Sequence, residues 1–144
     1  RVSDGRNAWL VAASEGHLNC CQQLWTAAAT AELGVSVDRD GRNAMMLGAR
    51  GGHAGVCSWL LEEGSACGAG LASVDVCGWT PLIAASAAGH KKVVEWLLAA
   101  NADAVATDEE GKSAREWARL RGNMIVESVL RRAEASAAAA ANEG

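Results

Sequence analysis

Apolar residues recur along the chain at helical spacing, in four short blocks that resemble one another. The block after Gly89 carries Val93, Val94, Trp96, Leu97 and Leu98. Those after Gly52, Gly16 and Gly122 carry Val56, Cys57, Trp59, Leu60 and Leu61, then Cys20, Cys21, Leu24 and Trp25, then Ile125, Val126, Val129 and Leu130. A shorter apolar helix is predicted before each block, clearest at Leu82, Ile83 and Ala85. Between the two helices stand Gly16-His17, Gly52-His53 and Gly89-His90, with Gly122-Asn123 as a fourth copy. A glycine there supplies the positive φ that stops a helix. Successive copies lie 36, 37 and 33 residues apart. Eleven positions before each lies another glycine, at Gly5, Gly41, Gly78 and Gly111. Two residues further on come the capping types Asn7, Asn43, Thr80 and Ser113, and then Ala8, Ala44, Pro81 or Ala114. The only proline thus begins a helix. The unit reads as turn, capped short helix, glycine reversal, second helix and return loop. One such pair cannot bury its apolar faces, so the units must stack into an all-α solenoid.

The stretch Asp75–Asp103, D-V-C-G-W-T-P-L-I-A-A-S-A-A-G-H-K-K-V-V-E-W-L-L-A-A-N-A-D, resembles an ankyrin repeat, with its period of about 33 residues and T-P-L-H-x-A signature. The resemblance covers residues 2–132 as four units, about 1–37, 38–74, 75–107 and 108–132, joined by β-like turn hairpins. Residues 133–144 read as an Ala-rich helix extension or frayed tail. The chain departs from the family where the signature histidine, which ties neighbouring turns, gives way to Leu10, Met46, Ile83 and Glu116. The extra length of the second unit falls in the loop Gly64–Ala72. That of the first falls between Trp25 and Asp38, where Thr26–Ala31 is predicted to add a turn of helix. Arg115 replaces a usual buried leucine in unit four, whose second helix closes on Arg131 and Arg132, as in a C-terminal capping repeat. Unit one carries Trp9, Leu10, Leu24 and Trp25 with no polar cap before it. Together with a first residue other than Met, this predicts a fragment or processed product whose N-terminal face is covered by further repeats or a neighbouring subunit.

Composition narrows the function. Thirteen basic and seventeen acidic residues leave a net charge of −4, which argues against nucleic-acid binding. No apolar run reaches the roughly 18 residues of a membrane span, so no direct membrane insertion is expected. Five cysteines, an odd number, at positions 20, 21, 57, 67 and 77 form no C-x-x-C pair. They predict a reducing, intracellular setting, the cytoplasm or an organelle, rather than a disulfide framework. Cys20, Cys21 and Cys57 read as small buried hydrophobes. Cys67 and Cys77 share the long loop and stay open as a pair that faces and oxidises. His17, His53 and His90 share one slot in which they brace the turn, with pH sensing or metal binding as the alternative. No nucleotide, metalloprotease or nucleophile-elbow motif is present, so no catalytic residue, cofactor or metal site is expected.

The resemblance implies binding to a protein partner through the concave face made by the turn tips and the exposed ends of the first helices. Its tip slots are Ser3, Asp4 and Arg6, then Arg39, Asp40 and Arg42, then Val76, Cys77 and Trp79, then Glu109, Glu110 and Lys112. The helix ends add Ser14 and Glu15, Arg50 and Gly51, Ala87 and Ala88, and Leu120 and Arg121. Five tryptophans fill apolar slots, whereas Trp79 falls at a tip. Either Trp79, with Arg42 and Arg50, anchors an acidic and apolar partner segment, or it folds over its own hairpin beside solvated arginines. The implied function is a non-enzymatic interaction module, adaptor or scaffold. The alternatives are a fixed subunit of a large assembly, organellar or not, and a regulatory domain of a longer enzyme or channel.

Overall fold

The computed structural model describes residues 8–27, 37–62, 74–100 and 102–143. These residues form eight helices in four pairs: α1 (Ala8–Glu15) and α2 (Leu18–Ala27), α3 (Ala44–Gly51) and α4 (Ala54–Glu62), α5 (Pro81–Ala88) and α6 (Lys91–Ala99), α7 (Ala114–Leu120) and α8 (Met124–Glu143). Local chemistry sets the boundaries. The side chains of Asn43, Thr80 and Ser113 accept hydrogen bonds from the Met46, Ile83 and Glu116 N–H groups at 3.0, 3.2 and 3.4 Å, closing the first turns of α3, α5 and α7. Pro81 occupies the first turn of α5, where no amide proton is needed. Asn7, the corresponding residue of unit one, lies outside the described residues, as does the stretch 28–36 that follows α2.

The first helices build the inner layer: α1 packs on α3, α3 on α5, and α5 on α7, while neighbouring second helices meet far less. Small side chains allow this closeness. Ala13, Ala49 and Ala85 are fully buried, beside the larger Leu10, Met45, Leu82 and Ile83. Val56, Cys57, Val93, Val94 and Leu97 complete a single core that runs through the stack. The thread is all-α. Among the described residues the only β-type pairing is an isolated bridge between Thr107 and Ser113.

The histidine slot does more than brace its own turn. His53 Nε2 donates to the Ser14 carbonyl at 3.0 Å, and Asn123 Nδ2 donates to the Ser86 and Ala87 carbonyls at 3.1 and 3.2 Å. Each therefore reaches the unit before it. The His90 ring lies over Gly52, at φ +81°, where a Cβ would come within 2.6 Å of Nδ1. Gly52 is required both by its left-handed backbone and by that close approach. These contacts supply an inter-unit tie in a chain whose usual tie positions hold Leu10, Met46, Ile83 and Glu116. His17 instead faces Glu15 at 3.3 Å on the surface.

Unit four ends in charge. Arg115, at the slot of Leu82, directs Nε to Glu127 at 2.9 Å and Nη1 to Glu134 at 3.4 Å. Glu127, at the slot of Val94, is buried. An ion pair thus replaces the apolar pair that carries stacking in unit three.

Candidate protein-binding groove

Three aspartates build the turn tips. Asp38, Asp75 and Asp108 each accept, on Oδ1, the N–H groups two and four residues further on, all at 2.9 to 3.0 Å. Each also pairs backbone to backbone with that fourth residue, Arg42, Trp79 or Lys112. The tips are then joined to one another: the Val76 N–H donates to the Asp40 carbonyl at 3.0 Å and the Glu109 N–H to the Cys77 carbonyl at 3.1 Å. A short aspartate is suited to this because its carboxylate reaches two successive amides without leaving the turn.

Between the tips of units two, three and four lies an open groove of about 250 Å³. Val76, 59% exposed, and the half-buried Trp79 and Trp117 give it apolar walls. The two indoles meet edge to face, 4.9 Å between centroids at 61°. Both donate to the same atom, Asp108 Oδ2, at 3.1 Å from Trp79 and 2.8 Å from Trp117. Burial of Asp108 opposes its charge. The amide of Lys112, the Trp117 indole, the amide of Glu110 and the Trp79 indole outweigh it and hold the carboxyl below its ordinary value. Lys112 Nζ lies 2.6 Å from Glu110 Oε2 and 5.2 Å above the Trp117 ring, with the Arg121 guanidinium 5.6 Å from the same ring.

A family model of ankyrin repeats in three copies matches residues 1–70, and a single-repeat model matches residues 77–109. The chain belongs to the ankyrin repeat family. Its described helices form an ankyrin solenoid, and ankyrin repeats generally mediate protein–protein interaction, typically without catalysis. No curated protein matches the chain as a relative. Among the described residues no helix is long and apolar enough to cross a membrane, and no group of three or more His, Cys, Asp or Glu is placed to hold a metal ion.

Within the ankyrin array the expected tip residues do not behave alike. Arg42, Val76, Trp79 and Glu109 come together in the groove, and Lys112 and Arg121 flank it at Trp117. Arg39 and Arg50 are exposed but do not line it. Ala87 is corrected from an exposed helix end to a buried residue, at 7% exposure, because the next unit covers it; Ala88 is exposed. Trp79 leans on the next unit rather than over its own hairpin. Its ring packs across the boundary onto Trp117 and its N–H is tied to unit four. Arg42 is not free for an acidic segment either, since it turns to Asp40 at 3.5 Å and Asp75 at 3.8 Å. Ser3, Asp4 and Arg6 lie outside the described residues; so does Cys67, the suggested partner of the exposed Cys77.

Three groove residues escaped the sequence reading: Asp75, Asp108 and Trp117. The aspartates carried a signal, since each stands three residues before a turn glycine. Trp117 carried none, because a tryptophan at an apolar helix slot reads as core until the neighbouring unit is in place.

Proposed function

We propose that this ankyrin chain is a non-enzymatic interaction module, an adaptor or scaffold, that holds a protein partner along the tips of units two to four. Val76, Trp79, Glu109 and Arg42 form the contact surface, with Lys112 and Arg121 flanking it at Trp117 and the exposed Arg39 and Arg50 as further contacts. The observation that carries this reading is the preformed groove on tips joined by inter-unit backbone hydrogen bonds. A surface ordered in advance loses little conformational freedom on binding, so contact area converts to affinity more fully than in a loop that must first be ordered.

A photo-crosslinking residue placed at position 76, and in a second sample at position 92 on the outer side of α6, tests it in native extract. Lys92 is exposed, like Val76, but lies on a second helix. The same protein should be cross-linked through position 76 and not through position 92. Linkage through position 92 alone, or through neither, overturns the proposal.

A further inference from the structure

The groove has a charge that its apolar walls conceal. Its lining carries one guanidinium, Arg42, against the carboxylates of Asp75, Asp108, Glu109 and Glu110. Arg42 is turned toward Asp75 and Asp40, and its side chain is only 21% exposed. Asp75 and Asp108 are hidden, each with Oδ1 held by two amides of its own turn, yet their negative potential still acts across the groove. Glu109 stands exposed at the rim, its N–H bonded to the Cys77 carbonyl of the neighbouring tip. An acidic segment entering here would meet four carboxylates in the lining, against an Arg42 that is already paired and the cations of Lys112 and Arg121 at the Trp117 end.

The chain also shows what the groove accepts. Lys112 holds its ammonium against Glu110 while lying over the Trp117 ring, so a carboxylate and an indole together already seat a cation at one end of the groove. Glu109 of unit four and Trp79 of unit three bring the same two kinds of group, a carboxylate and an indole, into the groove lining. A cation on an aliphatic stem satisfies both walls at once, the stem lying on Val76 and the indole and the head meeting the carboxylate. Resting on the binding reading above, we propose that the groove selects a basic and apolar segment of the partner protein, seating an arginine or lysine side chain between Glu109 and Trp79. Lys112 is then an internal competitor for the same kind of site.

A fluorescein-labelled short peptide of alternating arginine and leucine, with a glutamate and leucine peptide as its opposite, tests this by anisotropy near physiological salt. The basic peptide should bind and the acidic one should not. Glu109→Gln should weaken binding about five- to tenfold, and Lys112→Ala should tighten it about two- to fivefold. The same charge changes on the outer side of α6, Glu95→Gln and Lys92→Ala, should move it less than about twofold, which separates the groove from the net charge of the protein. All four side chains are at least partly exposed, so the fold is retained, and thermal unfolding by circular dichroism confirms it. Preference for the acidic peptide, or groove variants no different from the α6 variants, overturns the inference. If position 76 still cross-links a partner in that event, the binding reading stands and only the chemistry assigned to the partner falls.

Discussion

Asp108 is the residue on which the junction of units three and four turns. One carboxylate accepts four donors: the Glu110 and Lys112 amides on Oδ1, and the indoles of Trp79 and Trp117 on Oδ2. Its carboxyl is held below the ordinary value of 3.8 despite burial. A group whose folded pKa is depressed stabilises the fold fully above its unfolded pKa, and that contribution drains away as pH falls through the folded value. Asp108→Asn keeps one acceptor but sets an NH₂ or a single carbonyl where two indole protons or two amides converge. The expected loss is about 1–3 kcal/mol at neutral pH, from donors left unpaired. It should shrink as pH falls below the ordinary value of 3.8 and vanish below the lower folded value, where the native carboxylate is protonated as well. Denaturant unfolding at neutral pH and in acid checks both parts. Equal midpoints for the variant and the native protein at neutral pH would sink the assignment.

At the scale of the element, the pair α7 and α8 differs from the pairs before it by its charge. Units one to three place Trp9, Met45 and Leu82 at the slot that unit four gives to Arg115, and all three are buried. Their partners Cys21, Cys57 and Val94 are buried too, and the corresponding residue of unit four is Glu127. Charge at this slot makes the outer face of α7 and α8 expensive to dehydrate, so another apolar face gains nothing by stacking there. Arg115→Ala leaves the buried Glu127 without its ion partner and should lower the unfolding midpoint. Arg115→Leu with Glu127→Val restores the apolar pair of unit three. That double variant should recover most of the lost stability and should self-associate through the new face, as seen by light scattering after size-exclusion chromatography. A double variant that remains monomeric at high concentration would show that charge is not what keeps this face single.

Across the whole molecule, one continuous core links the units, and the thiols report on it. Cys21 and Cys57 are fully buried, whereas Cys20 and Cys77 are exposed. Burial pushes the Cys57 thiol up to about 12; burial and then the neighbouring Cys20 push Cys21 up to about 11. Only thiolates react with iodoacetamide, so the buried pair is protected both by access and by protonation. At pH 8, Cys20 and Cys77 should be modified first. Cys21 and Cys57 should follow together, at the rate of global opening, as read by peptide mass spectrometry over time. Labelling of Cys57 as fast as Cys20 would contradict a shared core, and earlier labelling of Cys21 alone would mean that unit one opens by itself.

Period, caps and helix faces were all legible in the chain, because they depend on neighbours within one unit. Thr80 caps the amide three residues on, Gly89 reverses the chain beside it, and Val93 and Leu97 share a face by helical geometry alone. Relations between units were not legible. The reach of His53 to Ser14, the hydrogen bond from Trp79 to Asp108 and the burial of Ala87 join residues 39 and 29 positions apart, or depend on what the next unit covers. Nothing local distinguishes a tip tryptophan that stands free from one that leans on the following repeat. The sequence alone therefore determined the repeated unit and its all-α stack. Tertiary structure decided which tip residues converge and what charge they present, because a groove between units belongs to no single unit.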